Sequence, residues 1–175
     1  MNFKPLAAAF VLTALLCPVL PAHAAVSQQT TDFVQKASEG NLFEIESSKI
    51  ALQKTSAKDV KDFAQRMVAD HTQIGDQLKK ALNDSGTGLT PATVLDNDHQ
   101  NTINSLNAAA PTTFDNLYAQ AQVKAHDEAV NLFTGYAQNG DDAVLKKFAS
   151  NTLPMLKEHQ ALAHTLSQSY VSARQ

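Results

Sequence analysis

The chain has 175 residues, with 14 lysines and arginines against 17 aspartates and glutamates, and its formal net charge is −3 at pH 7. This length suits one domain, and a hydrophobic content of 43% is enough for an ordinary core. The nearly balanced charge excludes nucleic acid or another polyanion as a default partner. Six glycines and six prolines exclude a collagen-like or low-complexity chain.

The first 24 residues have the pattern of a secretory signal peptide. Lys4 supplies a positive start, residues 6–16 form an apolar run, and Ala22-His23-Ala24 is a cleavage motif of the Ala-x-Ala kind. The apolar run is too short to span a bilayer. We therefore expect export to the periplasm after cleavage. Outer-membrane association has no support in the remaining residues.

Cys17 is the only cysteine of the chain and lies inside the signal segment. Its position after an apolar run leaves a lipoprotein as the weaker alternative, because Leu16 stands where lipoprotein processing requires a small residue. Cleavage before Ala25 would remove this cysteine. The exported chain would then form no disulfide, carry no thiolate nucleophile and hold no iron–sulfur cluster.

Residues 25–30 are predicted to be a flexible leader, and residues 31–171 a single helical domain. Apolar residues recur at helical spacing in four long segments, at about 31–54, 57–82, 112–138 and 142–171. Ser56 with Asp59, and Thr112 with Asp115, match the capping-box pattern at two of the starts. Pro154 is expected to kink or split the last helix.

The connection between the second and third long helices is long and contains a helix of its own. Turn-forming residues occupy positions 83–89, and Thr90-Pro91 predicts the start of a short helix that ends near Asn107. The other connections are short, so the long helices form two antiparallel hairpins. Two hairpins joined by a long crossover predict an all-α, ferritin-like four-helix bundle.

Each long helix carries one ionisable residue on or beside its apolar face. On the first helix Glu44 lies about 20° from Phe33, whereas Glu39 and Glu46 are predicted to point away. The others are His71, His126 and His159, on the second, third and fourth long helices. Gly40 and Gly75 also face inward and leave room beside this layer.

Counting residues from the turns places these four side chains at similar depths in the bundle. One carboxylate and three imidazoles from facing helices suit a site for iron, zinc, manganese or copper. Iron and zinc are the leading candidates. Asp70, Asp127 and Glu158 each neighbour a histidine in the sequence and are predicted to lie at the rim or to support the ligands.

Two other functions fit the same residues. The polar layer could be purely structural, in a non-catalytic interaction protein of the bacterial envelope. The third alternative, a small oxidoreductase with a redox metal, has the least support. No phosphate-binding glycine loop and no Gly-x-Ser-x-Gly motif occurs. His99 is expected to pack outside the bundle, His164 to be solvated, and Tyr118 and Tyr136 to lie in the core.

Several segments resemble a family of exported bacterial proteins of unknown function. They are Phe63-Ala64-Gln65-Arg66-Met67-Val68-Ala69-Asp70-His71, Phe114-Asp115-x-x-Tyr118, His126 and Leu153-Pro154-x-Leu156-x-x-His159. Members of this family are often labelled "predicted outer membrane protein" and are placed with the ferritin-like superfamily. The resemblance covers about residues 31–166. It implies a ferritin-like bundle in the bacterial envelope and no assigned activity.

The sequence departs from the pattern of di-iron bundles, which have a Glu-x-x-His motif on each of two helices. Val68 stands three residues before His71, and Leu156 three before His159. Two carboxylate ligands are therefore missing, so ferroxidase or oxygenase chemistry of that kind is not expected. A mononuclear metal site fits better. A protein partner in the envelope and self-association stay open.

Overall fold

The computed structural model describes residues 25–172, and the side chains of residues 25–170. The predicted signal peptide, residues 1–24, lies outside the described residues. Five α-helices follow in chain order, with no strand in the described part. They are α1 (Gln28–Lys54), α2 (Lys58–Ser85), α3 (Asn97–Ala108), α4 (Pro111–Asn139) and α5 (Ala143–Ser172). The prediction of an all-α fold is confirmed.

The four long helices form a bundle of two antiparallel hairpins. Short turns join α1 to α2 and α4 to α5, and α2 also packs on α5, as α1 does on α4. The Thr30 and Tyr136 hydroxyls are 2.6 Å apart and join the start of α1 to the end of α4. The Tyr170 hydroxyl donates to Asp59, which joins the end of α5 to the start of α2. These pairs show that α4 is antiparallel to α1, and α5 to α2.

The crossover with α3 returns the chain along the outside of the bundle, against α1 and α4. The Lys54 ammonium at the end of α1 donates to the carbonyl oxygens of Leu106 and Asn107, at 3.1 and 2.5 Å. It also lies 5.5 Å from the centre of the Phe114 ring on α4. The crossover therefore ends where α1 ends, and this is the predicted arrangement of two hairpins and one long connection.

Several predicted boundaries were wrong. The leader is shorter than residues 25–30, because α1 begins at Gln28 and the Ser27 hydroxyl accepts from the Thr30 amide at 3.0 Å. The short helix begins at Asn97 and not at Pro91, because the Asp96 carboxylate accepts from the His99 amide at 2.8 Å and caps it.

The predicted capping boxes at Ser56 and Thr112 are also absent. Helix α2 starts after Ala57 and α4 after Ala110, in both cases without a side-chain cap. Pro154 lies inside α5 without splitting it. Within the described residues, no helix is both long enough and apolar enough to cross a membrane.

The core consists of two apolar clusters, one in each half of the bundle. The first cluster includes Phe33, Ile74, Leu78, Phe133, Tyr136, Phe148 and Leu156. The second includes Phe43, Phe63, Met67, Leu106, Phe114, Tyr118 and Leu166. On α2, α4 and α5 the predicted histidine falls at the boundary between the two sets, and on α1 Glu44 directly follows Phe43, the first residue of the second set. A buried polar layer therefore separates two hydrophobic half-cores.

Candidate metal centre

Three histidine rings from three helices meet in the polar layer. The ring centres of His71, His126 and His159 are 5.4–5.7 Å apart, which makes a nearly equilateral triangle. A nitrogen of each ring lies within 4.8 Å of a nitrogen of each other ring. The residues are 3%, 0% and 0% exposed. Three buried imidazoles at these separations could hold a metal ion.

Each ring is fixed through one nitrogen by an oxygen acceptor. His71 Nδ1 donates to Asn41 Oδ1 at 3.0 Å, and His126 Nδ1 to the Gln122 carbonyl oxygen at 2.9 Å. His159 Nε2 donates to Asp70 Oδ2 at 2.8 Å. Because these nitrogens carry the protons, the other nitrogen of each neutral ring keeps its lone pair.

The three remaining nitrogens have no hydrogen-bond partner among the described residues. They are His71 Nε2, His126 Nε2 and His159 Nδ1, and all three are inaccessible to solvent. A buried polar atom without a partner costs about 1–3 kcal/mol, so three of them in one layer require an explanation. A metal ion bound by the three lone pairs would satisfy all of them together.

Burial favours the neutral form of the His71 and His159 rings, which is the form that binds a metal. It lowers the pKa of His71 well below the usual value, and the neighbouring His126 and His159 add to this effect. Burial also lowers the pKa of His159, although the hydrogen bond to Asp70 acts in the opposite direction. Metal ions bind neutral imidazole, so the lowered pKa values favour binding at neutral pH.

Glu44 lies in the same layer but outside the group of three. Its Oε1 is 3.6 Å from His126 Nδ1, the nitrogen already bound to the Gln122 carbonyl. The residue is 3% exposed, and neither carboxylate oxygen has a hydrogen-bond partner among the described residues. Burial raises the pKa of Glu44, and the neighbouring side chains of His126 and Gln122 oppose this rise only in part. The structure thus brings His71, His126 and His159 together as a histidine triad and places Glu44 beside the triad.

The acidic neighbours of the histidines make different contacts. Asp70 supports His159 on the facing helix, and not His71, its neighbour in sequence. Asp127 accepts from Gln160 and His164 at 2.8 and 3.0 Å, away from the triad. Glu158 pairs with Arg66 at 2.8 Å. Of the three, only Asp70 supports a ring of the triad.

Asn41 is the supporting residue that the sequence analysis missed. It holds His71 from α1, and its amide occupies the space beside Gly75, where a Cβ atom would lie 3.0 Å from Asn41 Nδ2. The sequence feature that could have indicated this contact is the inward-facing Gly75, which lies one helical turn after His71. The expectation of empty room at Gly75 was wrong, because the amide fills it.

One other sequence prediction needs correction, and three are confirmed. Glu39 does not point away, since it is only 9% exposed. His99 lies on α3, outside the four long helices, where it packs on Phe43 with ring centres 4.7 Å apart and pairs with Asp96. His164 is largely solvated, and Tyr118 and Tyr136 are core residues, as predicted.

The comparisons with known proteins support the fold and the family. No curated protein matches the chain. A crystal structure of a DUF305 fragment from Deinococcus radiodurans is similar, with a TM-score of 0.68 and 12% identity, over 83% of this chain and 99% of that one. At this identity the similarity shows the fold alone. The family described as "Domain of unknown function (DUF4142)" matches residues 16–166. The chain therefore belongs to the DUF4142 family.

Proposed function

We propose that this protein binds one divalent transition-metal ion on His71, His126 and His159, and that it serves metal handling or stress protection in the bacterial envelope. The observation that carries the proposal is a set of three buried imidazole nitrogens in one layer, for which residues 25–170 offer no hydrogen-bond partner. A purely structural layer is the weaker explanation, because it would have paired these atoms with one another or with neighbouring side chains.

The ligand set favours zinc over iron. Three neutral imidazoles are the ligands of one class of zinc site, which leaves a fourth position for water or another molecule. Mononuclear iron(II) sites often combine two histidines with a carboxylate. Glu44 would have to move from its position beside His126 Nδ1 to supply that carboxylate. Zinc is therefore the first metal to test and iron the second.

Export is part of the proposal and rests on residues 1–24, whose sequence has the signal-peptide pattern. In the periplasm the site would meet metal ions without competition from cytosolic thiols. An outer-membrane association, a protein partner and self-association stay predictions. We assign no reaction to the metal.

Elemental analysis of protein purified without chelator or His-tag tests the proposal. We expect close to one equivalent of metal per chain, lost in His71→Ala and retained in His164→Ala. His164 is the matched control because it lies on α5 but outside the triad, with a side chain that is 47% exposed. Circular dichroism checks that both variants keep their helices.

Loading the metal-free chain with Zn(II) or Fe(II) gives a second measurement. Tight binding stabilises the folded state by RT ln(1 + [metal]/Kd), about 4 kcal/mol at a thousandfold excess over Kd. Protein that is metal-free as purified and gains no thermal stability from either ion would overturn the proposal. The polar layer would then be structural, and the alternative of a non-catalytic interaction protein of the bacterial envelope would be favoured.

A further inference from the structure

A cavity of about 430 Å³ opens beside the histidine layer. His71, His126 and Glu44 are part of its wall. Small-molecule sites in proteins have volumes of about 300–1,000 Å³, so this space is large enough for an organic ligand and larger than a metal ion needs. The cavity therefore has room for an organic ligand in addition to the metal.

The wall of this cavity is mainly apolar. Its apolar members include Ala37, Ile74, Ala129, Leu132, Phe133 and Leu156. Burying an apolar group against such side chains is favourable, at about 25 cal/mol per Å² of surface. The chemistry of the wall thus selects an occupant with an apolar body.

The charged groups of the wall do not favour an anion. Glu39, Asp96 and Glu128 line the cavity together with a single lysine, Lys36. Three acidic groups against one basic group make the field in and around the cavity negative, even without Glu44. With a divalent ion bound on the histidines, the charges of these groups and the ion would sum to zero, so the wall would add no attraction for a carboxylate or phosphate, whereas an uncharged molecule needs none.

Two features leave space and a polar partner on the α1 side of the cavity. A Cβ atom at Gly40 would meet nothing within 4 Å, so the space beside this residue is open. Glu44, one helical turn later, lines the same cavity with two buried oxygens that have no hydrogen-bond partner in the part of the chain that the structure describes. An occupant with a hydrogen-bonding group could satisfy this carboxyl.

We propose that the cavity binds a small uncharged organic molecule with an apolar body and a lone-pair donor atom, such as a nitrogen heteroaromatic. The donor atom would occupy the fourth metal position that three histidines leave open, and a polar hydrogen or lone pair would meet Glu44. This inference rests on the proposed metal site and adds the class of its ligand.

The test uses the chain loaded with Co(II), whose visible absorption reports changes in its ligands. The probes are 4-phenylimidazole, which has a neutral form, and benzoate, an anion that also carries one phenyl ring. We expect 4-phenylimidazole to change the spectrum with saturation, and with a Kd at least tenfold lower than that of benzoate. Cobalt content is measured again after each titration, to show that the probe has not removed the metal.

Two glycine variants test the location. Gly40→Leu would fill the open space with a side chain, and we expect the Kd for 4-phenylimidazole to rise at least tenfold while Co(II) affinity stays within threefold. Gly135→Leu is the matched control, since Gly135 is an exposed helical glycine on α4 that also has nothing within 4 Å of a Cβ atom and does not line the cavity. Leucine favours helix over glycine at both positions.

The outcomes separate the two proposals. If Co(II) does not bind, or binds equally well after His71→Ala, the proposed metal site is wrong. If Co(II) binds but 4-phenylimidazole is no tighter than benzoate, only the cavity inference is overturned. Unchanged 4-phenylimidazole affinity in Gly40→Leu would also overturn it. If Gly40→Leu loses cobalt, the cavity inference is still tested by comparing 4-phenylimidazole with benzoate on the unsubstituted chain.

Discussion

At the scale of single residues, the hydrogen bond on the far nitrogen of each histidine decides which nitrogen is available to a metal. The acceptors are an amide oxygen, a backbone carbonyl and a carboxylate, from Asn41, Gln122 and Asp70. Only Asp70 carries a charge, and Arg66 Nε holds it at 3.2 Å from the neighbouring turn of α2. The carboxylate therefore both orients His159 and increases the electron density on its ring.

Asp70→Ala is expected to weaken metal binding about 10–100-fold while all three ligands remain. The physical reason is that His159 Nε2 loses its acceptor, so the ring is no longer held in the tautomer that leaves Nδ1 free. Competition with a chelator of known affinity measures the change. Asp62→Ala is the control, because Asp62 is an exposed residue of α2 that pairs with Lys58. Equal Kd values for the two variants would show that Asp70 does not support the site.

At the scale of elements, close contact between α1 and α2 positions the polar layer. Gly75 on α2 makes room for the Asn41 side chain of α1, and that side chain holds His71 on α2. A glycine within a helix costs about 1 kcal/mol relative to alanine. The missing side chain at Gly75 lets the Asn41 amide reach the His71 ring.

We predict that Gly75→Ala weakens metal binding several-fold without lowering the free energy of unfolding of the metal-free chain. The new Cβ would lie 3.0 Å from Asn41 Nδ2 and displace the amide by a few tenths of an ångström, while the gain in helix propensity offsets the crowding. Metal titration and urea unfolding measure the two effects. Gly135→Ala is the control and should only stabilise the helix. Unchanged metal affinity in Gly75→Ala would contradict this account.

At the scale of the whole molecule, the buried layer links folding to pH in two opposite directions. Burial lowers the pKa values of His71 and His159, so the unfolded chain binds more protons than the folded chain as the pH falls below about 6.5. These residues therefore destabilise the metal-free chain in acid. Burial raises the pKa of Glu44, so this residue destabilises the fold as the pH rises above about 4.5.

The variant Glu44→Gln is expected to separate these contributions. Near pH 4 the carboxyl is protonated in both states, so the substitution changes the stability little. At pH 8 it should stabilise the metal-free chain by about 1–2 kcal/mol, because no charge has to be buried. Urea unfolding at several pH values measures the difference. Glu46→Gln is the control on the same helix, and a gain for Glu44→Gln that does not grow with pH would refute the explanation.

The sequence by itself determined the helical class, the pairing of the helices and the four positions of the polar layer. Apolar residues spaced three and four positions apart indicate which side of a helix is buried. The lengths of the connections indicate which helices are neighbours. That information is local, so it was sufficient for Glu44, His71, His126 and His159. It was not sufficient for the start of α3, where Asp96 and not Pro91 marks the boundary.

Only the tertiary structure decided which of these residues meet and what supports them. Periodicity gives the angle of a side chain around its own helix, but not the relative height of two helices or the rotamers that fill the space between them. Those depend on packing across the bundle. Packing therefore placed Asp70 on His159, placed Asn41 on His71, left Glu44 beside the triad and opened the cavity next to Gly40.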